Sequence, residues 1–170
     1  MCIVIDTNSL SSVFDQKNKD HSNFKAVLKW IVEGKGKIVY GGTTYKDELE
    51  KANTFRTLFK EFNKVNKVVI VDKDAVDNKE NEYSAFKTND FDDPHIVAII
   101  AVSGVKLVCT QDKRSIPFIT NKQFYKKGEY PKVYSSKRNA KKLLCDSNIA
   151  DCCKPATRLS KSSCKSFGLD

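Results

Sequence analysis

Five short apolar runs recur along this chain with helix-period segments between them, and that alternation limits the fold more than any other feature. The runs are Cys2–Ile5, Lys37–Tyr40, Lys67–Val71, Lys106–Cys109 and Lys132–Tyr134. After the first, Phe24, Val27, Leu28, Ile31 and Val32 recur at amphipathic spacing, and Gly34 follows as a stop. Thr43 and Thr44 can cap a helix carrying Leu49, and Phe55, Leu58, Phe59 and Phe62 mark another. The acid-rich stretch Asp72–Asp90 predicts one exposed helix with Tyr83 and Phe86 turned inward. Asp92-Asp93-Pro94 opens an apolar helix over His95–Val102, which Gly104 ends, and Arg138–Cys145 reads as a last helix. Strands separated by helices need crossovers. The expected class is therefore α/β, with a mainly parallel central sheet flanked by helices.

A chain of 170 residues with 40% hydrophobic content closes one core more readily than two. Residues 1–137 are expected to form the domain, and residues 138–170 a basic, cysteine-containing extension. That extension reads as a helix followed by an irregular tail, because Ser, Lys, Cys and Pro dominate from Asp146 onward. The longest apolar run, Ile96–Val102, is far shorter than the roughly 20 residues of a membrane span. The opening Met-Cys-Ile-Val-Ile-Asp shows neither a basic leader nor a small-residue cleavage site, which predicts a cytoplasmic protein starting near Met1. In that setting the cysteines at 2, 109, 145, 152, 153 and 164 are expected to be mostly reduced, with Cys2 and Cys109 as small buried residues. The last four lack the short paired spacing of a zinc site.

Charge is distributed unevenly. The chain carries a formal net charge of +9, yet residues 1–120 hold 18 Lys/Arg against 17 Asp/Glu, and residues 121–170 hold 12 against 4. Such a block attracts a polyanion, and nucleic acid is the commonest one in the cytosol. Within it, Phe124-Tyr125-Lys126-Lys127-Gly128-Glu129-Tyr130 interleaves rings with lysines, the pattern that stacks bases and neutralises phosphates. Lys126, Lys127, Lys141 and Lys142 are the candidate substrate-binding residues. The plain alternative is a solvated surface. Trp30 reads as core.

In an open parallel sheet, ligands bind beyond the carboxyl ends of the strands. Asp6 ends the first run and Asp112 follows the fourth, while Glu48 and Asp93 belong to helices that follow strands. Four converging carboxylates repel one another and need a cation. Mg²⁺ or Mn²⁺ suits an oxygen donor set, and would bind a phosphate and acidify a water. Taken singly, each acid has a structural alternative: Asp6 as strand terminator, Glu48 as exposed helix acid, Asp93 as N-cap before Pro94, Asp112 as turn residue. His95 can face the acidic site, but it reads first as a partly buried structural histidine.

Together these segments resemble the PIN domain, a metal-dependent nuclease family. The likeness lies in Ile3-Val4-Ile5-Asp6-Thr7-Asn8, Asp47-Glu48-Leu49, Asp92-Asp93-Pro94-His95-Ile96-Val97-Ala98 and Gly104–Lys113, and covers about residues 1–135. The resemblance implies that Asp6, Glu48, Asp93 and Asp112 are the catalytic, metal-holding acids, with Asn8 and Thr110 as supporting polar groups. It implies an endoribonuclease that leaves a 5′-phosphate and a 3′-hydroxyl. A toxin or defence effector acting on RNA, restrained by a cognate inhibitor or held in a larger complex, is the associated expectation; a homodimer is one open assembly. Many members carry a further acid two residues after the last aspartate, where this chain has Arg114. The rival readings are a structure-specific DNA nuclease, a non-catalytic RNA-binding or scaffold module, and an aspartate-phosphorylated receiver or phosphatase, the last disfavoured because Asp6-Thr7-Asn8 lacks a second acid two residues on.

Overall fold

The computed structural model describes residues 2–88, 90–148, 150–165 and 167. Its centre is a five-stranded, all-parallel sheet in the order β3-β2-β1-β4-β5. The strands are β1 (Cys2–Ile5), β2 (Lys37–Gly41), β3 (Val68–Val71), β4 (Leu107–Cys109) and β5 (Lys132–Tyr134). Helices cover the sheet, which is why β1 and β4 read as unbroken apolar runs rather than as alternation. Every residue of these two strands is buried.

Between the strands lie α1 (Leu10–Phe14), α2 (His21–Val32), α3 (Thr43–Lys51), α4 (Asn53–Lys64), α5 (Lys73–Ser84), α6 (Pro94–Ser103) and α7 (Ile116–Ile119). Phe14 of α1 packs its ring among Phe55, Phe59 and Phe62 of α4. The helix α6 lies along β1, β2 and β3, and buries every residue from Pro94 to Ile100. Each Ile or Val buried there contributes roughly 1.5–3 kcal/mol. Gly104 closes α6 in the left-handed region at φ 66°.

Several local expectations need correction. The residue preceding α3 is Gly42, at φ 75°, and a Cβ there would come within 2.5 Å of Val76 Cγ1. The first amide of α3 is capped from outside: Thr43 N–H and Oγ1–H both donate to the Asp77 carboxylate of α5 at 2.6 Å. Phe86 lies past the end of α5 and is 51% exposed, so helical spacing no longer turns it inward as it does Tyr83. The final helix shrinks to α8 (Ala140–Leu143), because residues 137–139 wind as a tighter 3₁₀ turn and Leu144 leaves the helical region at ψ 59°.

The stretch after α8 is irregular, apart from single turns and α9 (Lys161–Lys165), but it packs on the domain. It crosses the edge from which the strands start. Cys153 is buried and joined by a disulfide to Cys2, so these two cysteines are not the reduced thiols expected. Packing of the 151–153 turn beneath β1 brings the two residues together across 151 positions of chain. Nearby, the buried Lys67 ammonium donates to the carbonyls of Gly34, Gly36 and Thr157, matching three donors with three acceptors. Further along, Phe167 stacks on Phe62 with ring centroids 4.4 Å apart.

Candidate active site

The chain runs outward from β1 through β2 to β3, then returns past β1 to lay β4 on its other side. The reversal leaves a crevice beyond the carboxyl ends of β1 and β4, the place where open α/β sheets bind ligands. Asp6 stands directly at it. Its backbone N–H donates to Cys109 O at 2.9 Å, which ties the two strand ends together. Its buried carboxylate accepts from Thr110 Oγ1 at 2.7 Å and from Asn8 N–H at 3.1 Å. Burial raises the Asp6 pKa, against the lowering effect of those two hydrogen bonds.

Glu48 arrives from α3, anchored one turn earlier where the buried Tyr45 hydroxyl donates to Ile5 O at 2.6 Å. Thr7 Oγ1 donates to Glu48 Oε2 at 2.6 Å. Burial pushes the Glu48 pKa up, but His95, Thr7 and the nearby Lys51 outweigh it and leave it lowered. Asp93 occupies the N-cap position of α6 yet makes no side-chain capping bond, so its carboxylate is left to the crevice. Burial first, then the charge of Asp6, pushes Asp93 up to about 6, and Asp92 and Glu48 add to the rise. Proton-holding by a crowded acid is the response expected of repelling carboxylates.

Two clusters share Asp93. Glu48, Asp93 and His95 each offer one ligand atom within 4.8 Å of the others, and so do Asp92, Asp93 and Asp112. Asp92 is exposed and belongs to the outer cluster alone. Asp112 accepts from Arg114 through the backbone N–H at 2.9 Å and through Nε and Nη2, each at 3.3 Å. Burial is the largest single influence and raises Asp112, but the several contacts of Arg114, with the Ser115 backbone, together outweigh it and hold the carboxyl below its ordinary value. Thr110 Oγ1 also accepts Asp112 N–H at 3.0 Å, so one hydroxyl links both acids.

Thus all four acids sit around the crevice, Asp6 by its electrostatic coupling to Asp93 and the other three within the clusters. Asn8 contributes through its backbone. Sequence reasoning passed over Thr7 and Tyr45, and ranked a structural role for His95 above the site-facing one that the structure shows. Thr7 had one signal, its place directly after a strand-ending aspartate. His95 is 2% exposed, and its Nε2 lies 3.5 Å from Glu48 Oε2. That separation exceeds a formed hydrogen bond, and among the described residues Nε2 has no other partner.

Lys126 and Lys127 line a hollow with Lys122, Tyr125 and Tyr130, on the segment entering the starting end of β5. Lys141 and Lys142 are exposed on α8. A cleft of about 640 Å³ is lined by Asn23, Gln111, Lys113, Ser136, Lys137 and Arg138 among others, and so reaches the two residues that flank Asp112 in the chain. No protein-family model, curated protein or solved structure matches this chain. Among the described residues, no helix is long and apolar enough to cross a membrane.

Proposed function

We propose that the protein is a metal-dependent endoribonuclease of PIN-like design. The observation that carries this reading is the meeting of Asp6, Glu48, Asp93 and Asp112, from four separate segments, around one crevice at the sheet's reversal point. The donor set fits a divalent cation: carboxylate oxygens dominate, and their crowding is relieved by positive charge. Asp6, Glu48, Asp93 and Asp112 would hold Mg²⁺ or Mn²⁺, which would supply charge neutralisation at the scissile phosphate and a more acidic attacking water.

The protein's own groups do the rest. Thr7 fixes Glu48, and Thr110 with the Asn8 amide fixes Asp6, so the acids keep their orientation without a reorganisation cost. Arg114 presents an exposed guanidinium beside Asp112, suited to a backbone phosphate. Lys113, Lys137 and Arg138 give their cleft the charge to guide an RNA strand toward the acids. No side chain needs to act as a nucleophile, because water attacks in line and the 3′ oxygen leaves. The products carry a 5′-phosphate and a 3′-hydroxyl. A role as a toxin or defence effector restrained by an inhibitor belongs to the same reading.

Incubating the purified chain with a mixed RNA pool and Mn²⁺, beside Asp6→Asn and an EDTA control, tests the proposal. Cleavage should require both Asp6 and the ion. A second reading, a non-catalytic RNA-binding module, draws on the Arg114–Asp112 pair, which neutralises one acid internally. Metal-independent RNA retention without any cleavage would select it.

A further inference from the structure

Around the inner cluster, one atom stands out chemically. His95 Nε2 is a nitrogen donor among carboxylates, its side chain is 3% exposed, and among the described residues it has no formed hydrogen bond, Glu48 Oε2 standing 3.5 Å away. Buried polar atoms are rarely left so, because an unmet donor or acceptor costs about 1–3 kcal/mol. Its neighbours aim it. Pro94 fixes the start of α6, so Asp93 and His95 leave the same turn, and the Tyr45 ring stands edge-on to the imidazole at 6.3 Å. Tyr45 is itself tied to β1, and Thr7 holds the Glu48 carboxylate that faces the imidazole. The arrangement is built before any ligand arrives.

We infer that His95, Glu48 and Asp93 form a mixed nitrogen–oxygen metal site that selects Mn²⁺ or a similar first-row transition ion over Mg²⁺. Two carboxylate oxygens and one imidazole nitrogen lie within 4.8 Å of one another. Mg²⁺ takes oxygen ligands and gives up its water reluctantly, whereas transition ions accept imidazole nitrogen. A cation on Nε2 would satisfy the unpartnered atom and neutralise Glu48 and Asp93 at once. The inference rests on the metal reading of the crevice and adds to it which ion the chain prefers.

Electron spin-echo measurements on the full chain with Mn²⁺ alone, without RNA, test this directly. The wild-type spectrum should show nitrogen modulation from a bound imidazole, even in excess Mg²⁺. In His95→Gln that modulation should vanish and Mn²⁺ affinity should fall about tenfold or more, while Mg²⁺ affinity changes far less. The wild-type spectrum is decisive whether or not the variant folds. Bound Mn²⁺ without nitrogen modulation would make His95 only a partner of Glu48, overturning the inference and leaving the nuclease reading intact. Binding of no divalent ion would overturn both. Nitrogen-ligated Mn²⁺ in a chain that leaves RNA uncut would overturn the nuclease reading alone.

Discussion

Asp93 and Asp92 are adjacent and chemically alike, yet their surroundings give them different work. Asp93 belongs to both clusters and carries the burial; Asp92 faces outward. Asp93→Asn should reduce RNA cleavage by about a hundredfold or more, the scale seen when one electrostatic anchor of a transition state is removed. Asp92→Ala should keep most of it, and rates of both variants on one RNA check the register. Asp93 also sets a pH dependence. Its carboxyl is raised from 3.8 to about 6, so the fold binds this proton more tightly than the unfolded chain does. The metal-free protein therefore has this contribution in full below about pH 4 and loses it as pH rises through about 6. Ion binding runs the other way, strengthening over the same interval as the carboxyl ionises. Urea midpoints across pH 4–7 without metal, wild type against Asp93→Asn, should differ in slope with that sign.

At the scale of elements, the sheet was legible because parallel strands covered on both faces are written as plain apolar runs, and the chain turned to acids at their ends. The apolar helix α6 was legible from Pro94 and Gly104, which mark its two ends. Other features depend on partners distant in sequence. Glu48 is oriented by Thr7 across 41 positions, and α3 is capped by Asp77 across 34. No local pattern announces either bond. The interleaved rings and lysines around Lys126 suggested a nucleic-acid surface by composition, while the cleft beside the residues flanking Asp112 draws on Lys113, Lys137 and Arg138, which no local pattern groups. Alanine at those three positions should weaken RNA binding and flatten its dependence on salt by about two to three phosphate contacts. Lys126→Ala/Lys127→Ala should change both much less. Filter binding over a salt series separates the two surfaces.

Over the whole molecule, the extension is fastened rather than appended. Cys153 is bonded to Cys2, Lys67 holds Thr157, and Phe167 covers Phe62, all away from the acidic crevice. Deleting residues 146–170 should therefore damage folding more than RNA contact, the reverse of what a basic tail by itself suggests. Cys153→Ser should lower unfolding free energy by about 2–5 kcal/mol, as expected when a cross-link spanning a long loop is lost. Urea unfolding of oxidised wild type and variant measures it. The disulfide was hidden from sequence because a cytosolic expectation for the thiols argued against any pairing. Such bonds persist mainly in oxidising surroundings.

The neighbour that completes Asp6 lies 104 residues further along the chain. During synthesis the first strand emerges long before the fourth, and the gap between them stays unfilled meanwhile. A chain stalled before residue 107 already contains Asp6, Glu48 and Asp93, but has neither Thr110 to hold the first carboxylate nor Asp112 to close the ring of acids. The ring of acids thus cannot close until Asp112 has been made, and on the reading proposed above an unfinished copy that stops short of it holds no complete site.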